Sequence, residues 1–219
     1  MTKHDKLVSL KRIRDEVIDK IYKERWEEVW FFPEYKQVPG VKGFLGTDPI
    51  FFLSINPSFG TFPSDPDIFY YRNLKRQGFG NAHLTDFFKV KCKNKNSKEL
   101  SQNKSLVKEC KQILKKEIKA LSPKLIVGVG ISYRKFYRQN LSGYGIPLCL
   151  IPHYAPQFNN SEKKKRFRRK LRGLANFTKN CSSSFLLLTP TKLLTKPRAP
   201  DQVRFDLLHG YALSPAPRF

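Results

Sequence analysis

Two apolar runs, Phe52-Leu53-Ser54-Ile55-Asn56-Pro57-Ser58 and Leu150-Ile151-Pro152-His153-Tyr154-Ala155-Pro156, stop abruptly in polar and turn-forming residues. A short apolar run closed in this way reads as a buried strand that opens into a loop. In an open parallel sheet, ligands bind in the crevice outside the carboxyl ends of the strands. One strand would bring Asn56 to that edge and the other His153.

The rest of the chain supplies the layers such a sheet needs. Leu7, Leu10, Ile13, Val17, Ile21 and Trp26 recur among charges at near-helical spacing, which predicts a helix over residues 5–32. Residues 50–55 are expected as the first strand, 68–77 as a short helix and 83–91 as a second strand. Leu106, Val107, Cys110, Ile113, Leu114, Ile118 and Leu121 line one face of an amphipathic helix that Pro123 stops. A glycine-terminated strand over 125–130, a helix over 133–141 and a fourth strand over 146–152 follow. Ser161 is the expected N-cap of a basic helix reaching 177, with Glu162 in its first turn. Strands alternating with helices predict a three-layer α/β/α sandwich around a mainly parallel four-stranded sheet. Residues 1–44 would form a helical segment packed on the core, 45–177 the main domain, and 178–219 a proline-rich, loosely attached tail.

The formal net charge is +24, with 42 Lys and Arg against 18 Asp and Glu. Such an excess attracts polyanions, and nucleic acid is the commonest of these inside cells. No run approaches the roughly 18 apolar residues of a membrane span, and the first residues do not read as a signal peptide. The four cysteines, Cys92, Cys110, Cys149 and Cys181, are scattered, as expected in a reducing intracellular compartment: the cytoplasm or nucleoid, or the nucleus of a eukaryote. Lys163-Lys164-Lys165-Arg166, Arg168-Arg169-Lys170 and Arg172 place eight basic residues within ten positions of one predicted helix. Following the His153 loop directly, they form a candidate track for DNA phosphates.

Four segments together resemble the uracil-DNA glycosylase superfamily. Ser54-Ile55-Asn56-Pro57-Ser58 is similar to the first motif in its Gly-Ile-Asn-Pro-Gly form, found in the mismatch-specific and single-strand-selective branches. Leu84-Thr85-Asp86-Phe87-Phe88-Lys89-Val90-Lys91-Cys92 resembles the Ile-Thr-Asn-Val-Val-Lys-Cys signature of the thermophilic branch. The helix to Leu121, followed by Pro123-Lys124-Leu125-Ile126-Val127-Gly128-Val129-Gly130, resembles the next segment of that branch. His153 with Pro156 stands where the family has His-Pro-Ser, although the serine is missing here. The resemblance covers roughly residues 45–177.

It implies a monofunctional DNA glycosylase of base excision repair, one that flips a damaged or deaminated base such as uracil into a pocket and hydrolyses its glycosidic bond. Asn56 would position the water, and His153 would donate a hydrogen bond to the base oxygen as negative charge develops there. Phe59 or, preferably, Phe62 would stack on the base. Gln157 and Phe158 would wedge into the duplex, while Lys163, Lys164, Lys165, Arg166, Arg168 and Arg169 hold phosphates.

Asp86 stands where the resembled branch has an asparagine that reads the edge of uracil. An ionised aspartate can only accept hydrogen bonds. Either the preferred base is not plain uracil, or Asp86 faces away and another group reads the base. Cys92 and Cys110 are spaced like two ligands of an iron–sulfur branch, but no cysteine precedes Cys92, so both are assigned to packing and no metal or other cofactor is expected. Gly128 and Gly130 are read as allowing a helix to approach the sheet. The expected partner is single- or double-stranded DNA, bound by a monomer. Two further readings stay open: an inert nucleic-acid binder of the same fold, and an enzyme of free nucleotides or nucleosides.

Overall fold

Ile50–Ser54 (β1) is apolar on both faces of its backbone, the pattern of a strand covered by helices on either side. The computed structural model describes residues 1–21, 29–57, 60–91, 97–155 and 159–184. In it β1 lies inside a four-stranded sheet with His83–Asp86 (β2), Leu125–Val129 (β3) and Leu148–Ile151 (β4), in the order β2-β1-β3-β4. All three ladders are parallel; Leu53 pairs with Thr85 and Gly128, Ser54 with Asp86, and Val129 with Ile151.

Among the described residues six α-helices accompany the sheet: α1 (Lys3–Glu16), α2 (Asp65–Arg76), α3 (Ser97–Gln102), α4 (Lys104–Leu121), α5 (Arg134–Leu141) and α6 (Ser161–Ser184). Side chains alternate across a strand, so β1 feeds two cores. Phe51 and Leu53 pack with Leu10 and Ile13 of α1, Ile113 and Leu114 of α4, and Tyr137 of α5. Phe52 packs with Tyr70, Tyr71 and Leu74 of α2 and with Phe167, Leu171 and Leu174 of α6. The result is the expected three-layer sandwich. Leu10, Ile13 and Val17 are buried, so the N-terminal helix is part of the first core.

Several boundaries differ from the sequence reading. The first helix does not run to residue 32: regular α geometry ends at Glu16, a π turn occupies Val17–Ile21, and Val29 forms an antiparallel bridge to Val90. Trp30 N–H donates to the Lys89 carbonyl at 2.8 Å, a strand-like contact that helical periodicity cannot register. The second strand stops at Asp86 rather than at 91, because Phe87 and Phe88 both enter the first core and strand alternation is lost. Helix α2 starts at Asp65, three residues early, where Ser64 N–H donates to Asp67 Oδ2 at 3.0 Å. Asn160, not Ser161, caps α6: its Oδ1 accepts from Lys163 N–H at 2.9 Å. Helix α6 also continues through 178–184, and the remainder of the expected tail lies outside the described residues.

Gly128 meets the expectation of close helix–sheet approach. A Cβ there would stand 2.6 Å from Leu150 Cδ2 and 2.9 Å from the Tyr137 ring. Gly128→Ala is expected to destabilise the fold by about 1–3 kcal/mol through overpacking, read as a lower urea midpoint at unchanged m-value.

Candidate active site

The strand order reverses direction beside β1: one connection leads outward to β2, and the chain then crosses to β3 and β4. The carboxyl ends of β1 and β3 flank this switch point, where doubly wound sheets open a crevice. Its floor is set by Tyr137 of α5, whose fully buried hydroxyl lies 2.9 Å from the carbonyl oxygens of both Leu53 and Val129.

Asn56 lies just beyond β1 and is half-buried. Its Nδ2 donates to the Pro57 carbonyl at 3.0 Å, which fixes the amide and leaves Oδ1 as an acceptor. His153 lies just beyond β4. Ala155 N–H donates to His153 Nδ1 at 3.2 Å, so the neutral ring carries its proton on Nε2. Burial pushes the His153 pKa down to about 4, against a weaker upward pull from Asp67. The ring is therefore a neutral N–H donor at physiological pH. It stacks on Tyr154 at 4.7 Å, and Tyr154 stacks on Tyr70 at 4.3 Å with the rings 3° apart. Gly130, at φ +114°, lies alongside: a Cβ there would stand 3.8 Å from His153 Cβ.

Asp86 closes β2 on the same face as Ser54 and Leu84. Its side chain is buried, and neither carboxyl oxygen has a hydrogen-bond partner among the described residues. Burial pushes its pKa up to about 8; Lys89 opposes the shift, while Asp67 and Glu117 add to it. Burial therefore favours the un-ionised form, because the interior cannot hydrate the charge.

Lys89 points inward instead of toward solvent. Its ammonium lies 2.9 Å from Glu117 Oε1 and donates to Thr85 Oγ1 at 2.5 Å and to the main-chain carbonyl of Asp86. His83 Nε2 lies 3.5 Å from Glu117 Oε2. Burial alone would raise the Glu117 pKa, but Lys89 and His83 together hold it below the ordinary value. Burial keeps the His83 pKa low despite the carboxylate beside it.

Phe62 belongs to an aromatic group, with ring centroids 5.4 Å from Trp30, 5.6 Å from Tyr35 and 5.7 Å from Tyr71. Phe59, Gln157, Phe158 and Cys92 lie outside the described residues. Cys110 is buried in the first core. On α6, Phe167, Leu171 and Leu174 face inward, while Lys163, Lys165, Arg166, Arg168 and Arg169 are exposed and Lys164 is half-buried. Lys164 Nζ and the Arg168 guanidinium lie 5.9 and 5.3 Å from the Phe69 ring centroid. A hollow of about 310 Å³ between α2 and α6 is lined by Asp65, Phe69, Arg72, Arg76 and Arg168, and another of about 400 Å³ by Lys163, Lys165, Arg166 and Arg169. Both belong to the basic flank and not to the Asn56–His153 edge.

Sequence reasoning missed Asp67, Tyr154, Lys89, Glu117 and Tyr137. Asp67 accepts from the Tyr154 hydroxyl at 3.1 Å, tying α2 to the His153 loop. Ser64-x-x-Asp67 is a capping signature that marks both the helix start and this aspartate. Tyr154 could have been found as the neighbour of His153; a buried lysine paired with a glutamate 28 positions away leaves no local signal.

No protein-family model matches the chain, and no curated protein matches it at significant similarity. What is established is the fold: a parallel four-stranded sheet flanked by helices, an architecture that hosts many unrelated activities. Among the described residues, no helix is long and apolar enough to cross a membrane.

Proposed function

We propose that the chain is a DNA glycosylase of the uracil-DNA glycosylase type, hydrolysing the bond between deoxyribose and a flipped base. The observation that carries this reading is the state of His153: a neutral imidazole whose Nδ1 is occupied by Ala155 N–H, on the sheet edge that also bears Asn56. When the glycosidic bond breaks, electrons collect on the ring nitrogen and a carbonyl oxygen of the departing base. An Nε2–H donor aimed there stabilises the anion without giving up its proton. Asn56 Oδ1 can accept from the water that attacks the cationic sugar carbon; an amide is a weak base, so it orients that water and does not deprotonate it.

The test is single-turnover incubation with single- and double-stranded DNA carrying uracil, hypoxanthine, xanthine or mismatched thymine, followed by alkali to reveal abasic sites. Base release from any of these supports the reading; intact strands at every base overturn it.

A second reading, binding without catalysis, is favoured by the exposed basic face of α6. Each phosphate contact steepens the fall of log K with log salt by about 0.7–0.9. Lys163→Gln, Arg166→Gln and Arg169→Gln combined are expected to reduce the slope by about 2–3 in a fluorescence-anisotropy titration. Binding of this kind without base release would establish the second reading.

A further inference from the structure

We propose that Asp86 acts at this site as an un-ionised carboxylic acid, pairing through its O–H and C=O with the edge of a base that presents a carbonyl beside an N–H. The inference rests on the glycosylase reading and goes beyond it by naming the ligand edge and the chemical form of the group that reads it.

The geometry begins with position. Asp86 is the last residue of β2 and pairs in register with Ser54, two residues before Asn56. It stands on the α2 side of the sheet, where Asp67 and Tyr154 join that helix to the His153 loop. Its two oxygens are buried and lack hydrogen-bond partners among the described residues. A buried carboxyl with neither oxygen engaged is costly to keep unless something else completes it.

The surrounding charges decide its form. Lys89, three residues on, is the nearby cation, but its ammonium is engaged with Glu117, Thr85 Oγ1 and the Asp86 main-chain carbonyl. Asp67 from α2 and Glu117 from α4 set negative charge against ionisation. Tyr70 and Tyr71 from α2, Tyr137 from α5 and Tyr154 from the loop after β4 interact electrostatically with Asp86, and each hydroxyl stays protonated well above neutrality, chiefly through burial. His153 is neutral. Burial above all, against the pull of Lys89 and with Asp67 and Glu117 beside it, leaves the acid protonated at neutral pH and titrating near 8.

A protonated carboxyl has one donor and one acceptor side by side. A lactam or imide edge, the feature that deamination creates in uracil, hypoxanthine and xanthine, offers the complementary pair, so two hydrogen bonds close a ring. The ionised form has only lone pairs and repels the carbonyl. The departure from asparagine at this position therefore keeps the donor–acceptor pattern below pH 8 and loses it above.

Wild-type protein and Asp86→Asn are compared on uracil-containing single-stranded DNA from pH 6 to 9.5, each normalised to its own rate at pH 7. In parallel, thermal unfolding of both is followed over the same range without DNA. The wild-type rate is expected to be about tenfold lower at pH 9 than at pH 7, as the neutral fraction falls by that amount for a group titrating at 8, and the Asn variant should lack this fall. The wild-type Tm should fall relative to the variant as pH rises from 6 to about 8 and then level off, because over that range the unfolded carboxyl is already ionised while the native one still holds its proton, and above it both are ionised. Parallel pH profiles in the two proteins overturn the base-reading role. A Tm difference that does not change with pH overturns the un-ionised form. Absence of base release from every substrate by both proteins overturns the glycosylase reading and the base-reading role with it, while the melting curves still decide the state of Asp86.

Discussion

His153→Ala is expected to slow base release by about 10²–10³-fold, the usual cost of removing one preorganised donor to a developing anion, with DNA affinity nearly unchanged. Single-turnover rates and anisotropy on the same oligonucleotide separate the two effects. The argument is electrostatic. The donor is needed most when the base carries negative charge, and less in the ground state, so the loss falls on the chemical step. Asn56→Ala should slow the same step, since the water then lacks its acceptor. The pH dependence carries a further signature. A ring that stays neutral down to about pH 4 makes a contribution that is flat between pH 5 and 8, whereas a donor with an ordinary histidine pKa would lose charge across that range. Stability moves in the window between the two pKa values. The folded pKa lies below the unfolded value of 6.5, so below pH 6.5 the unfolded chain binds the proton first. The His153 contribution to stability should therefore be lost as pH falls from about 6.5 to 4, and urea unfolding of His153→Gln should lack that component.

Glu117→Ala is expected to destabilise the fold by about 3–5 kcal/mol, because it strands the Lys89 ammonium in the interior without a counter-charge. Lys89, Glu117 and His83 are at most 1 % exposed. The double variant Lys89→Met with Glu117→Gln removes both charges and should recover much of the loss; equilibrium urea unfolding measures each. If the single and double variants prove equally unstable, the ion pair is not what the site depends on. Recovery of stability should not bring full recovery of base release, since Lys89 also holds Thr85 Oγ1 and the Asp86 carbonyl. The pair thus supports the end of β2 from beneath, and Asp86 with it.

The fold was legible where one physical signal dominates. The run at Phe52 is buried on both faces, the run at Leu150 is buried except for a half-buried Leu150, and the apolar stripe from Leu106 to Leu121 has no competing interpretation. It was not legible where distant contacts override local pattern. Val29 and Trp30 continue a plausible helical period, yet pair with the chain near Lys89 and Val90. Lys89 looks like a surface residue in a strand pattern, and it is Glu117, from α4, that supplies the counter-charge for its burial. Asn56 and His153 could be found because strand ends are marked by abrupt polarity. The protonation state of Asp86 could not, since it depends on burial and on Lys89, Asp67 and Glu117, which only the fold brings together.

Tyr137 gives the crevice a mechanical property. One phenol ring seated on α5 fills the space above Gly128 and reaches carbonyls near the ends of two neighbouring strands, Leu53 of β1 and Val129 of β3. The spacing of β1 and β3 at their open end and the seat of α5 are therefore a single unit: the helix cannot slide along the sheet without disturbing the mouth. Stiffness at the opening is supplied from the outer layer, leaving the loops above free to vary in length and sequence without altering the gap they surround.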